Sequence, residues 1–142
     1  MVPRVVLDTN VVVSALRSRR GASAAILGLA GTGRYLHCVS VAPVFEYEAA
    51  CKRPATGLAV TEAVIDDVLD YLAGTGRRQA IHFRWRPALQ DPGDDHVLEL
   101  AVAAGAMIVT YNRRDFAGAE RFGIDVVSPA GFLDTLLRKD DR

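Results

Sequence analysis

Five acidic side chains of the 142-residue chain occupy positions from which they could form one shared site. Asp8 ends an apolar run, Glu46 begins a helical stretch, Asp94 and Asp95 open another, and Asp115 follows a second apolar run. Carboxylates held close together repel one another, so such a group needs a proton, a basic partner or a metal ion. Oxygen ligands without His or Cys suit Mg²⁺ or Mn²⁺. An ion of this kind can activate water for attack on a phosphodiester, so these residue types favour a metal nuclease.

These acids can meet only if the chain folds as alternating strands and helices, and the apolar pattern predicts that order. Short apolar runs, typical of strands covered on both faces, alternate with stretches of helical periodicity. The predicted strands are 5–7, 35–41, 80–83, 107–110 and 125–127, and the predicted helices are 12–16, 22–30, 43–53, 61–72, 97–104 and 129–137. Gly and Pro residues punctuate the boundaries between them.

This order of elements predicts the fold class. Strands that alternate with helices form a parallel sheet with helices on both faces, because the crossovers are right-handed. We therefore predict an α/β protein, a three-layer α/β/α sandwich with a central parallel sheet of about four to five strands, as one domain over residues 1–142. In open parallel sheets ligands bind beyond the carboxyl ends of the strands, and the acids are predicted to gather at that edge.

The composition excludes several protein classes. Hydrophobic residues make up 50% of the chain and charged residues 24%, which is too apolar for a disordered protein. No apolar run approaches the roughly 20 residues of a membrane span. Asp8 interrupts the first apolar run too early for a signal peptide. Cys38 and Cys51 lack metal-ligand spacing and are expected to be buried thiols. We expect a soluble, cytoplasmic protein.

The charge balance bears on nucleic-acid binding. The chain has 17 basic and 17 acidic residues, which argues against binding through bulk positive charge. Acids and bases can nevertheless occupy different faces. Arginines near the predicted site are candidate phosphate contacts, because the guanidinium fork matches phosphate oxygens. These are Arg17, Arg19, Arg20, Arg113 and Arg114.

Four segments, in order, resemble the PIN domain, and within that superfamily the ribonuclease toxins of bacterial toxin–antitoxin pairs. They are Val5-Val6-Leu7-Asp8-Thr9-Asn10-Val11; Glu46-Tyr47 running to Arg53-Pro54; Asp91-Pro92-Gly93-Asp94-Asp95 with Leu98-Glu99-Leu100-Ala101; and Ile108-Val109-Thr110-Tyr111-Asn112-Arg113-Arg114-Asp115-Phe116. The likeness covers nearly the whole chain. It implies an endoribonuclease that depends on Mg²⁺ or Mn²⁺ and leaves 5′-phosphate and 3′-hydroxyl ends.

The resemblance also implies a four-acid site that binds metal and carries out catalysis. Asp8 resembles the first acid and Glu46 the second. Asp94 takes the third place, since it lies 16 positions before Thr110, and Asp95 is the alternative. Asp115 resembles the fourth acid.

Other residues of the resemblance support these acids. Thr9 and Asn10 would support Asp8, and Thr110 resembles a hydroxyl residue that positions a ligand or water. Many relatives have Asp where Asn112 stands, so either Asp115 supplies the fourth carboxylate or a second metal is held weakly. The implied partners are an RNA substrate, a cognate antitoxin protein and a second copy of the chain.

Plainer interpretations stay open for the same residues. Asp94, Asp95 and Asp115 stand where acids cap helices and turns, and Glu46 could be a solvated helix residue. The Asn112 substitution and the adjacent Asp94-Asp95 pair also allow a different function. In that alternative the chain is a catalytically inactive PIN-like module that binds protein or RNA.

Overall fold

A five-stranded sheet forms the centre of the protein in a computed structural model that describes residues 2–81 and 92–140. Its strands are β1 (Arg4–Leu7), β2 (Leu36–Val39), β3 (Arg77–Arg78), β4 (Met107–Val109) and β5 (Val126–Val127). All neighbouring pairs are parallel, in the order β3-β2-β1-β4-β5. The predicted α/β sandwich with a parallel sheet is confirmed.

The two central strands are the most apolar. Val5, Val6 and Leu7 of β1 are at most 1% exposed, because β1 is covered on both faces and paired on both edges. Val6 pairs with Ile108 of β4 in the parallel register. A run of β-branched residues suits such a strand.

Six helices are present in the described part of the chain. They are α1 (Thr9–Arg17), α2 (Ala22–Gly28), α3 (Val41–Lys52), α4 (Glu62–Thr75), α5 (Pro92–Ala104) and α6 (Pro129–Asp140). Three short 3₁₀ turns, Pro54–Thr56, Arg113–Phe116 and Ala119–Phe122, complete the connections. No helix in residues 2–81 and 92–140 has both the length and the apolar character needed to cross a bilayer.

The helices form two unequal layers. Five of them, α1 to α4 and α6, pack on one face of the sheet around apolar side chains that include Leu7, Ile26 and Phe132. The other face is covered by α5 and by the segment that follows β4, around Val6, Leu98 and others. Right-handed crossovers account for this division, since the chain builds the sheet outward from β1 to β3 and then returns to β4.

Several predicted boundaries differ from the structure. The strand expected at 80–83 forms instead at Arg77–Arg78, and residues 82 and 83 lie outside the described residues. The strand expected at 35–41 is shorter, because helix α3 begins at Val41, and Pro43 lies in the first turn of that helix as predicted. Helix α5 begins at Pro92 and not at 97, so that Asp94 and Asp95 lie in its first turn, where acidic side chains are favoured by the helix dipole.

Both cysteines are buried and free, as expected from their spacing. Cys38 lies in β2 and Cys51 near the end of α3. Burial raises the pKa of each thiol above its usual range. Neither cysteine is therefore a reactive group at neutral pH.

Candidate active site

The carboxyl ends of β1 and β4 form the point where the strand order changes direction. From β1 the chain builds outward through β2 to β3, whereas β4 lies on the opposite side of β1. Crevices at such switch points are where open α/β sheets bind ligands. Asp8 follows β1 directly and Thr110 follows β4 directly, so the two residues stand side by side at this point.

Asp8 is held by hydrogen bonds to both of its carboxylate oxygens. Its Oδ1 accepts from the backbone N–H of Thr9 at 2.8 Å, and its Oδ2 accepts from the hydroxyl of Thr110 at 2.7 Å. The residue is only 6% exposed and caps the N-terminus of α1, where the helix dipole favours negative charge. The carboxylate is thus fixed in orientation at the end of β1.

Thr110 is the junction of this network. Its hydroxyl oxygen, fully buried, donates to Asp8 and accepts from the side-chain amide of Asn10 at 3.3 Å and from the backbone N–H of Asn112 at 3.0 Å. The amide oxygen of Asn10 in turn accepts from the backbone N–H of Tyr111 at 3.3 Å. The segments after β1 and β4 are therefore joined by several bonds.

A tyrosine from α3 fixes the end of β1 from the other side. The buried hydroxyl of Tyr47 donates to the backbone carbonyl of Leu7. Burial, with a smaller contribution from the negative charge of Asp8, raises the pKa of Tyr47 above its usual range. Tyr47 is consequently a permanent hydrogen-bond donor that anchors the residue before Asp8.

Three of the predicted acids line one cleft, whose volume is about 520 Å³. Asp8 comes from the end of β1, Asp94 from the first turn of α5, and Asp115 from the 3₁₀ turn after β4. Thr9 and Asn10 line the same cleft. The structure therefore brings together side chains that are more than 100 positions apart in the sequence.

Two other predicted acids lie outside this lining. Glu46 lies on α3 with its side chain 44% exposed, and its Oε1 is 3.7 Å from Nδ1 of His96 on α5. Asp95 is buried beside Asp94 and does not line the cleft. Of the two candidates for the third acid, Asp94 is the one that reaches the cleft.

Of the five arginines predicted to contact phosphate, Arg17 is the one that lines the cleft. Its Nη2 donates to the backbone carbonyl of Thr56 at 2.8 Å. Arg19 and Arg20 are exposed in the segment between α1 and α2. Arg113 and Arg114 are exposed on the same 3₁₀ turn as Asp115.

The donor chemistry of the cleft fits a divalent ion. Within residues 2–81 and 92–140, no three acidic, His or Cys side chains stand close enough to share an ion as they are positioned. The cleft nevertheless offers carboxylate oxygens from Asp8, Asp94 and Asp115, which are hard ligands. Asp115 is exposed and Asp94 is partly exposed, so both side chains are in contact with the solvent from which an ion would enter.

Sequence reasoning missed one group of cleft residues. Tyr111 lines the cleft, and its hydroxyl lies within hydrogen-bond distance of Ser14 and Ser23. Only the position of Tyr111 directly after Thr110 could have signalled its place at the site. The contact of His96 with Glu46 depends on how α3 packs against α5.

Solved structures share this fold at low sequence identity. VapBC2 from Rickettsia felis, bound to a DNA fragment from their promoter, has a TM-score of 0.59 and 14% identity, covering 88% of this chain and 98% of that one. A PilT N-terminus domain protein from the archaeon Sulfolobus solfataricus P2 has a TM-score of 0.58 and 13% identity, covering 94% and 93%. FitAB bound to an IR36 DNA fragment has a TM-score of 0.53 and 18% identity, covering 88% and 94%.

The sequence itself carries the family assignment. Among proteins of curated function, no sequence match was found. The profile of the PIN domain matches residues 4–114, which contain β1 to β4 and the acids at positions 8, 46 and 94. Proteins of this family are generally nuclease hydrolases that use divalent metal ions. The chain belongs to the PIN domain family.

Proposed function

We propose that this chain, as one nuclease domain over residues 1–142, is an endoribonuclease that hydrolyses RNA phosphodiester bonds with Mg²⁺ or Mn²⁺. The observation that carries the proposal is the cleft itself. Asp8, Asp94 and Asp115 reach it from three separate elements at the switch point of the sheet. A structural role for each acid alone would not require all three to line the same 520 Å³ space.

Asp8, Asp94 and Asp115 are the residues that would hold the ion, and Glu46 would join them from α3. When bound, such an ion polarises a phosphoryl oxygen and lowers the pKa of water. Asp8 is the fixed member, because Thr9 and Thr110 hold both of its oxygens. Asp94 and Asp115 are the groups placed to accept a proton from attacking water, since their side chains face the cleft and keep contact with solvent.

Arginines would hold the RNA backbone. The guanidinium of Arg17 uses one nitrogen on the carbonyl of Thr56, which leaves further N–H donors for a phosphate in the cleft. Arg113 and Arg114 flank Asp115 on an exposed turn. Arg19 and Arg20 are exposed just beyond the end of α1. The neutral overall charge therefore does not exclude arginines beside the acids of the cleft.

The test is cleavage of labelled RNA by the purified protein with Mg²⁺, with Mn²⁺ and with excess chelator. We expect cleavage only with an ion, and at least about 100-fold less with Asp8→Asn, because even indirect partners of metal ligands cost 10- to 100-fold when removed. Asp67→Asn is the matched control, since Asp67 is exposed on α4, away from the cleft. Equal cleavage in all these conditions would contradict the proposal.

We further propose that the chain acts as the toxin of a toxin–antitoxin pair and forms a homodimer. Support comes from two fold neighbours, VapBC2 and FitAB, each solved on a DNA fragment. Expression in a bacterial host is expected to arrest growth, and co-expression of the adjacent short gene is expected to restore it. Stable expression without arrest would contradict the toxin role.

A catalytically inactive binding module is the second candidate. It is favoured by Asn112 and by the fact that, among the described residues, no three candidate ligands are close enough to share an ion. Calorimetry separates the two functions. RNA binding without any heat of Mg²⁺ or Mn²⁺ binding would favour the module, whereas ion binding that Asp8→Asn abolishes would favour the nuclease.

A further inference from the structure

Tyr111 presents an aromatic ring at the cleft, next to the proposed catalytic carboxylates. It follows Thr110 at the exit of β4 and is 50% exposed. It lines the same cleft as Asp8 and Asp115. A large aromatic side chain that is left half in solvent beside a site is a candidate contact for a ligand.

The two ends of Tyr111 are fixed although its ring is exposed. Its hydroxyl lies 2.6 Å from the hydroxyl of Ser23 on α2 and accepts from Ser14 on α1 at 3.2 Å. Its backbone N–H donates to Asn10 at 3.3 Å. Ser23 is fully buried, so its hydroxyl needs this partner. The ring is therefore held in one orientation before any ligand arrives.

We propose that Tyr111 is a stacking platform for an unpaired RNA base beside the scissile phosphate. The inference rests on the proposed function and adds a residue of this chain that would contact the base beside the cleavage site. Base–aromatic stacking is strong and tolerant of base identity, because every base has a π face. A base within a duplex is already stacked on its neighbours and cannot lie flat on a protein ring.

The neighbourhood of Tyr111 fits this role. Arg17 lines the same cleft and can take a backbone phosphate while the base lies on the ring. Ser14 and Ser23 form a clamp on the Tyr111 hydroxyl. Because this clamp already holds the ring in one rotamer, the ring loses little conformational entropy when RNA binds. A purely structural tie between β4 and the first two helices would not require the ring to line the cleft.

The test compares Tyr111→Phe with Tyr111→Leu, which both lack the hydroxyl but differ in having an aromatic face. Binding is measured by fluorescence anisotropy, with Ca²⁺ replacing Mg²⁺ and RNA integrity checked on a gel. The probes are a labelled oligouridylate of about ten nucleotides and an oligomer of the same length that carries only abasic sugars. Thermal unfolding is followed for each variant.

We expect Tyr111→Leu to bind the oligouridylate at least about 5-fold more weakly than Tyr111→Phe, because stacking on one aromatic ring contributes that much or more. The abasic oligomer should not distinguish the two variants. Ser23→Ala keeps the ring but loosens the clamp, and it should weaken oligouridylate binding about as much as Tyr111→Phe does.

Two outcomes overturn the platform: Phe and Leu variants that bind oligouridylate equally, or a Leu variant that loses the same factor on both probes. These outcomes are separable from failure of the proposed function. If the wild-type protein cleaves RNA and the two variants bind alike, only the platform is wrong. If the wild-type protein does not cleave RNA but the Phe–Leu difference persists, the platform stands without the nuclease activity.

Discussion

The acids of the cleft come from two kinds of support, and the two differ in how firmly they are held. Asp8, at the end of a central strand, is buried and bonded at both carboxylate oxygens. Asp115 lies on an exposed 3₁₀ turn, and Glu46, which lies outside the cleft lining, is on a helix with 44% of its side chain exposed. The acid at the end of the strand is therefore held by the fold, whereas the acids on the helix and the turn are exposed to solvent.

This difference suggests a division of labour. A fixed carboxylate costs no ordering entropy when a ligand binds, so it sets where an ion sits. Exposed carboxylates lose side-chain entropy when they are ordered by an ion or by RNA. Because fully fixed acids at close range would repel one another, a mixture of fixed and exposed groups also lowers the cost of folding the empty site.

After Asp8→Asn, the largest effect is expected from Thr110→Val, which removes the hydroxyl that holds Asp8 at the end of the strand. The substitution keeps the shape but leaves Oδ2 of Asp8 without its 2.7 Å donor and removes the acceptor of two further donors. We expect RNA cleavage to fall about 10- to 100-fold. The free energy of unfolding in urea should fall by about 1–3 kcal/mol. Thr110→Ser keeps the hydroxyl and is the control; a Val variant with wild-type activity and stability would break the comparison.

A smaller effect, of a different kind, is expected from Asp115→Asn on the exposed turn. Losing one charge near the ion should raise the Mg²⁺ concentration for half-maximal cleavage roughly 10-fold, because a unit charge about 6 Å from a divalent ion is worth about 1.4 kcal/mol even in water. The urea midpoint should not change. Glu120→Gln is the control, since Glu120 is exposed on the next 3₁₀ turn. A clear loss of stability with Asp115→Asn would mean that this acid is held by the fold as well.

The smallest effect is expected from Asn112→Asp. The side chain of Asn112 is exposed, while its backbone N–H donates to Thr110. An added carboxylate should lower the Mg²⁺ requirement about 2- to 5-fold through its charge. Asn112→Ala should be neutral, because the backbone makes the bond to Thr110. If Asn112→Asp instead raises the Mg²⁺ requirement, added charge at this position acts by repulsion between acids.

Strand β1 and the acid at its end, Asp8, were also easier to predict from the sequence than the acids on the helices and turns. Val5-Val6-Leu7 is a buried-strand pattern, and an acid that ends such a strand has few explanations other than a site. Strand β3 was missed because Arg77 and Arg78 are both exposed and carry no apolar signal. An edge strand of two residues is defined by its pairing with β2, which local sequence does not encode.

The sequence alone could not predict which side chains of the helices point into the cleft. Asp94 and Asp95 are adjacent, and only the true start of α5 at Pro92 decides which one faces the cleft. The role of Tyr111 as a partner of Ser14 and Ser23 depends on how α1 and α2 pack near β4. Such contacts join positions about 90 to 100 residues apart. Tertiary packing, and not local pattern, creates them.

Strand β3 carries a further consequence for the behaviour of the protein in concentrated solution. A sheet edge presents unpaired N–H and C=O groups that can template pairing with another molecule. Within the part of the chain that the structure describes, one edge of the sheet is formed by Arg77 and Arg78, both exposed and both positively charged. Two copies that approached each other through this edge would bring four like charges together within a few ångströms. The short, charged strand therefore protects the protein from edge-to-edge aggregation.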